Sequence, residues 1–291
     1  MRLSIGIVGG SIAGCSAAIL LSRAGHEVSV FERSRGGLVG RGGGIATTGA
    51  MWEELVSHDI IDPDMPHFKA ATMPFIVRTD DEPVTGRSPY AIPLDLRAFH
   101  WTELWGQLRR RVPEGHYHQG TAVDWVEQVG DESVDLVFED GSADRFDLVL
   151  FADGYRSIGR RHICPDAELR YRGYMLWRGL LPESAVEDPP LGADIPRLSY
   201  AGAAGNATAY FVPSAEGSTK HGERIINWAC YIPLAEDAVE GFMVDRDGER
   251  REGSLPPGAM RPSEEDRLKA QMRTALPDWY GEMVADTEDT F

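Results

Sequence analysis

Leu3-Ser4-Ile5-Gly6-Ile7-Val8-Gly9-Gly10-Ser11-Ile12-Ala13-Gly14, read together with the Glu32 that stands 18 residues beyond Gly14, decides the fold. An apolar run enters a glycine turn, a helix rich in small and aliphatic residues follows from Ile12 to Arg23, and Ala24-Gly25-His26 stops it before Glu27-Val28-Ser29-Val30-Phe31. That order is strand, turn, helix, strand, so the two strands are expected to be parallel. In a dinucleotide-binding turn the first glycine, Gly9, makes the tight bend. The last, Gly14, lets helix and strand pack closely, and the helix start at Ser11, Ile12 and Ala13 offers free N–H groups to a pyrophosphate. Glu32, ending the second strand, would accept from the adenosine ribose hydroxyls. Ser11 stands where a glycine usually brings backbone to phosphate, so the pattern reads GxSxxG. Its place between strand and helix, with an acid closing the next strand, favours a nucleotide site over a bare structural turn.

Outward from this unit, the bulk properties narrow the classes. The chain has 291 residues, 42% of them hydrophobic and 26% charged, with a formal net charge of −17. That charge repels phosphate backbones and anionic lipid heads, and Lys and Arg gather in no basic tract, so neither nucleic acid nor a membrane is an expected partner. No apolar run is long enough to span a bilayer. The N-terminus runs at once into the glycine turn without a signal-peptide pattern, which implies a cytoplasmic location. Cys15, Cys164 and Cys230 are far apart and form no CxxC, so each reads as a small buried residue and not as a disulfide or zinc ligand. His116 and His118 would share one face of a short strand, but no third ligand stands near and no metal site is expected.

Further along, the glycine-rich loop Gly36 to Gly44 precedes a helical pattern from about Thr47 to His58, which Asp62 to Pro66 ends. Short strands are expected near Phe75-Ile76-Val77 and Tyr90-Ala91-Ile92, then a second helix over about Leu96 to Arg110. The runs Ala122 to Val129, Val134 to Phe138 and Arg145 to Phe151 read as strands, with Glu139-Asp140-Gly141-Ser142 as a hairpin turn. From Leu169 to about Pro233, strand-like runs parted by Gly and Pro indicate an antiparallel sheet, a change of class from the opening unit. Gly253 to Pro262 reads as a linker and the last thirty or so residues as mostly helical.

With GxSxxG and Glu32, three further segments make the chain resemble the class A flavoprotein monooxygenases, the group of para-hydroxybenzoate hydroxylase, and within it the dihydroxypyridine hydroxylase branch. Gly40-Arg41-Gly42-Gly43-Gly44-Ile45 is similar to the family's loop near the flavin. Arg97, opening Arg97-Ala98-Phe99-His100-Trp101-Thr102-Glu103-Leu104, matches its arginine for the FAD pyrophosphate. Asp147 to Arg160, with Asp153-Gly154 at its centre, resembles the DG motif that serves FAD and NAD(P)H, although Phe151 replaces a usual glycine. Tyr171 to Gly179 resembles the strand entering the substrate domain.

The resemblance implies a Rossmann-like α/β FAD-binding domain, mostly parallel, over 1–71, 95–167 and 258–291, with an antiparallel substrate domain over 72–94 and 168–257 inserted in it. It implies FAD as cofactor, NADPH or NADH as co-substrate, and O2 and a small aromatic or N-heteroaromatic compound as reactants, with oxygen transferred from a flavin C4a-hydroperoxide. Arg33, Arg35 and Arg41 could meet cofactor phosphates or be solvated loop charges. Tyr210, Trp228 and Tyr231 are candidate pocket walls or ordinary core aromatics, Trp177 and Arg178 are the candidates for lying between flavin and substrate, and no catalytic side chain is singled out. The family's later GD motif is missing before Phe291, which suggests a truncated, split or degenerate chain; the expected partner is a missing C-terminal piece or a second copy in a homodimer. Two rivals stand beside the hydroxylase: a flavin reductase or dehydrogenase of the geranylgeranyl reductase type, and a non-catalytic flavoprotein fragment.

Overall fold

The computed structural model describes residues 1–38, 42–202 and 204–291. In chain order the elements are β1 (Ser4–Val8), α1 (Ile12–Arg23), β2 (Glu27–Glu32), β3 (Gly44–Thr48), α2 (Gly49–Ser57), β4 (Phe68–Val77) and β5 (Arg87–His100). Next come α3 (Trp101–Arg109), β6 (Tyr117–Gln119), β7 (Val123–Val129), β8 (Ser133–Phe138), β9 (Ala143–Phe146), β10 (Leu148–Phe151) and α4 (Ile158–Ile163). The rest are β11 (Tyr174–Pro182), β12 (Arg197–Ser199), β13 (Asn206–Val212), β14 (Ile225–Pro233), α5 (Glu236–Phe242), α6 (Pro262–Ala275) and α7 (Asp278–Asp286). By packing, the chain forms two compact units: Met1–Gly42, Glu53–Met65 and Trp101–Arg170 in the first, and Gly43–Trp52, Pro66–His100 and Tyr171–Phe291 in the second.

The first unit carries a parallel sheet in the order β10-β1-β2-β6 and a small antiparallel sheet β7-β8-β9. Its opening βαβ is the one the sequence predicts. Gly14, Cys15, Ala18 and Ile19 form the buried stripe of α1, at the spacing of a helix face. The helix ends in a Schellman turn: His26 N–H donates to Leu21 O at 3.1 Å, Gly25 N–H to Ser22 O at 3.0 Å, and Gly25 takes φ of +90°. The expected strand from Arg145 to Phe151 is two strands. Asp147 breaks it, its carboxylate accepting from the Ser4 N–H at 2.7 Å and the Ser4 hydroxyl at 2.8 Å, so β9 joins β8 while β10 joins β1.

The second unit is a seven-stranded sheet, β11-β14-β13-β12-β4-β5-β3, antiparallel except where β12 runs parallel to β4. Two expected helices are corrected here. Thr47 and Thr48, read as helical, extend β3, and α2 begins only at Gly49. Leu96 to His100, read as the first turns of a helix, are the end of a long strand next to the sheet edge: Leu96 pairs with both Thr48 and Ala70, and α3 starts at Trp101. An apolar spacing of three fits a helix and a doubly buried strand alike, and pairing on both sides decides for the strand.

One face of this sheet is closed by α6 and α7. Leu268, Met272, Tyr280 and Val284 share a core with Trp177, Trp228, Phe211 and Cys230. Residues 258–291, expected with the FAD-binding domain, therefore pack in the second unit. Cys15 and Cys230 are buried as expected, but Cys164, following α4, is exposed. Among the described residues no helix is long and apolar enough to cross a membrane.

Candidate functional site

The turn after β1 is shaped by close approach. Gly9 has φ of +101°, and a Cβ there would lie 2.5 Å from the Ala152 carbonyl oxygen on the segment leaving β10. A Cβ on Gly14 would lie 1.8 Å from the Gly9 carbonyl oxygen, so α1 rests on the turn and no larger residue fits. Ser11 caps α1 in extended backbone without a side-chain hydrogen bond, and no acid occupies the first turn. The helix start keeps its free N–H groups and partial positive charge for an anion.

Glu32 is 7% exposed. Its Oε2 accepts from Gly10 N–H at 2.8 Å and its Oε1 from Ser34 N–H at 2.8 Å, which ties the end of β2 to the glycine turn. A carboxylate has about four acceptor sites, so both oxygens retain capacity for ribose hydroxyls. The Gly10 carbonyl receives three donors that sequence reasoning missed: Trp105 Nε1 at 3.0 Å, Tyr117 Oη at 3.0 Å and Cys15 Sγ at 3.3 Å. Their only signal was chemical type, since 90 or more residues part Trp105 and Tyr117 from the turn. Burial pushes the Cys15 thiol up to about 12, which keeps it protonated.

At the end of β10, Asp153 Oδ2 accepts from Ile158 N–H at 2.8 Å, while Oδ1 is buried without a partner. Gly154 has φ of +79°, and the Ser157 hydroxyl caps α4 by accepting from Arg160 N–H at 3.0 Å. Phe151, the departure from the family's usual glycine, lies on Gly159, where a Cβ would stand 1.9 Å from the ring. The ring fills the space that a side chain at Gly159 would need. Arg33 is exposed, and Arg41 lies outside the described residues. His116 and His118 are structural: His116 Nδ1 bonds the Val28 carbonyl, and His118 stacks on Phe31 with centroids 5.0 Å apart.

In the second unit Arg97 is on β5, 7% exposed, and its guanidinium pairs with Asp95. Arg97 therefore stands inside a strand and does not open a helix. The pocket candidates divide between the two faces of the sheet. Trp177 (1% exposed) and Trp228 (0%) meet edge to face, with centroids 5.1 Å apart, in the core under α6 and α7, and so line no open pocket. Arg178, Tyr210 and Tyr231 belong to the alternate set. With them lies Asn227, not foreseen, whose Oδ1 accepts from Gly44 N–H at 2.6 Å while Arg178 Nη2 donates to Gly44 O at 2.9 Å. The alternation Asn206, Thr208, Tyr210 and Asn227, Ala229, Tyr231 was the available signal: each strand sets these against apolar residues at period two.

Two family models match the chain: an NAD(P)-binding Rossmann-like domain over residues 7–60 and an FAD binding domain-like family over residues 171–291. The chain is 28% identical to a 2,6-dihydroxypyridine 3-monooxygenase of Paenarthrobacter nicotinovorans, over 89% of this chain and 63% of that protein. It is 32% identical to a 3-amino-4-hydroxybenzoate 2-monooxygenase of Streptomyces cremeus, over 75% of this chain and 55% of that one. The solved 2,6-dihydroxypyridine-3-hydroxylase of Arthrobacter nicotinovorans superposes with a TM-score of 0.86 at 25% identity, over the whole chain and 72% of that structure.

Parallel nucleotide-binding sheet, separate antiparallel sheet and these matches define the para-hydroxybenzoate hydroxylase type of flavoprotein fold. Within it, the chain is a relative of the FAD-dependent aromatic monooxygenases. It spans 63% and 55% of the two curated relatives named.

Proposed function

We propose that the protein is an FAD-dependent, NAD(P)H-consuming monooxygenase that hydroxylates a small aromatic or N-heteroaromatic ring, with O2 as the oxygen source. The observation that carries this reading is the glycine turn of the first unit, held by Glu32 at one end and faced by an uncapped helix start. The residues fit an adenine dinucleotide: the helix start receives the pyrophosphate, Glu32 accepts from the ribose, and the partnerless Asp153 Oδ1 is an acceptor kept for a ligand donor. Arg97 is assigned to the pyrophosphate by its match to the family's arginine, and Arg33 and Arg41 to further phosphate contacts.

FAD when bound supplies the oxygen chemistry, with NADH or NADPH as reductant. This chain's side chains bind and orient. On the sheet of the second unit, half-buried Arg178 and Tyr231, with Tyr210 and Asn227 buried beside them, form a polar face suited to a ring bearing oxygen or nitrogen substituents, and the Trp177–Trp228 core lies behind it. Domain assignment follows function: the first unit is the dinucleotide-binding part and the sheet of the second the substrate-binding part, in the cytoplasm where NAD(P)H is supplied. The relatives, named as monooxygenases, give no support to the reductase reading.

Titration of the purified chain with FAD, read by visible absorbance, tests the first half. NAD(P)H-driven oxygen uptake with phenols and hydroxypyridines tests the second. Flavin binding with substrate-stimulated uptake and a hydroxylated product is the expected result; absence of flavin binding overturns the reading.

A further inference from the structure

Three elements of the first unit converge on one carbonyl oxygen. The Gly10 C=O accepts from Trp105 Nε1 on α3 at 3.0 Å, from Tyr117 Oη on β6 at 3.0 Å and from Cys15 Sγ on α1 at 3.3 Å. Gly10 is held from its other end as well, its N–H donating to Glu32 at 2.8 Å. The donors are themselves fixed. Trp101, Trp105 and Arg109 follow at intervals of four along α3 and so share a face. The two indoles are parallel within 5°, with centroids 6.3 Å apart, and the Arg109 guanidinium lies 4.0 Å over the Tyr117 ring. A Cβ on Gly10 would stand 2.2 Å from Tyr117 Oη, so glycine at this position is what admits the phenol. Burial pushes the Tyr117 hydroxyl up, as it does the Cys15 thiol, and both remain donors at neutral pH.

A carbonyl oxygen has two lone pairs, so three side-chain donors exceed what satisfying it requires. What they add is direction. The Gly10–Ser11 bond is trans, and in a trans peptide the C=O and the N–H point opposite ways. With the oxygen turned into the donors, the Ser11 N–H is turned away from them at the start of α1. Among the described residues that N–H bonds to no protein group, and the Ser11 side chain makes no cap. Gly9 and Gly10 precede it, and glycine resists rotation of a peptide plane least of all residues. A rotated plane would leave the three donors without their acceptor and aim a carbonyl oxygen at an incoming anion.

We infer that Trp105 and Tyr117, with Cys15, are positioning residues: they lock the Gly10–Ser11 peptide with its N–H presented to the diphosphate of the dinucleotide. The turn then needs no rearrangement when the ligand arrives. The inference rests on the nucleotide half of the monooxygenase reading, that this turn receives a dinucleotide, and adds that its anion-binding geometry is imposed from α3 and β6.

Calorimetric titration of the purified chain with ADP and with FAD measures affinity, and two-dimensional amide NMR at saturating ADP follows the Ser11 N–H itself. Trp105→Phe and Tyr117→Phe each keep a ring and remove one donor. Each is expected to weaken ADP and FAD about twofold to tenfold, the range for one hydrogen bond, and the double variant more than either. In the parent protein ADP moves the Ser11 amide proton downfield; in each variant it moves less. Circular dichroism checks folding, and if Trp105→Phe does not fold, Tyr117→Phe, which loses only a hydroxyl, decides the outcome. A merely structural role predicts weaker binding with the Ser11 response at saturation equal to that of the parent. That result, unchanged ADP affinity in the folded variants, a Ser11 resonance indifferent to ADP in the parent, or no binding of ADP at all overturns the inference. The two claims separate: ADP binding that depends on the donors, without FAD binding, defeats the monooxygenase reading alone, and FAD binding indifferent to their removal defeats this inference alone.

Discussion

The carboxylate of Glu32 and the amide of Gly10 are joined at 2.8 Å, so the acid proposed for the ribose also holds the turn proposed for the phosphates. Removal of the side chain should cost on both counts. Glu32→Ala is expected to weaken FAD binding by about 1.5–3 kcal/mol, roughly tenfold to a hundredfold, the range for hydrogen bonds to a charged group. Glu32→Gln, which can still accept from Gly10, should lose less. Unchanged FAD affinity in Glu32→Ala would remove Glu32 from the site.

The Phe151 ring and Gly159 are complementary in volume. Gly159→Val is expected to lower stability by about 1–3 kcal/mol through overpacking. Phe151→Gly combined with Gly159→Val should recover part of the loss, because the added methyl groups then occupy the vacated space. Urea midpoints of the two single variants and the double variant give the coupling directly; strict additivity would disprove it.

Glu183 is held by the Arg224 guanidinium, with Gly222 N–H at 2.7 Å, and this hydrogen bonding keeps its carboxyl below the ordinary value of 4.5. Because the folded-state value is depressed, the stabilisation is present above the unfolded value and disappears as pH falls through the folded one. Glu183→Gln should therefore cost about 3 kcal/mol near neutrality, the scale for breaking a buried pair. The gap from the parent protein should close in acid. Denaturant unfolding across that range checks it, and a gap independent of pH would contradict the pairing.

Thiol labelling should divide the three cysteines. Cys164 is exposed and is expected to react at once in the native protein. Cys15 and Cys230, buried and each pushed up to about 12, should react only on unfolding. Fast native labelling of Cys15 would show that the turn around Gly10 opens far more readily than its three donors imply.

The opening βαβ was legible because its signals are local: glycine spacing, the buried stripe of α1 and the Gly25 stop all lie within 30 residues. Arg97 reads as helical in the sequence because the neighbours that make it strand, Thr47 on β3 and Lys69 on β4, are distant along the chain. The same limit hid Trp105 and Tyr117 behind the turn. Aromatic type leaves Trp228 between pocket wall and core, and the resemblance puts Trp177 beside the substrate, yet strand parity sends both into the core and sets Arg197, Thr208 and Asn206 on the opposite face. Parity cannot be used before strand boundaries are known.

Pairing of β1 with β10 also has a consequence in time. Ser4 and Asp147 meet across 143 residues, and the smaller part of the second unit's chain, Gly43–Trp52 and Pro66–His100, lies between them. During synthesis β1, α1 and β2 emerge early and can associate, but Gly9 receives its packing against Ala152 only after β10 has been made. The glycine turn is thus written first and finished late. Until the ribosome has passed Asp153, the nascent chain presents an apolar strand with one side unpaired, the stage at which a chaperone has most to protect.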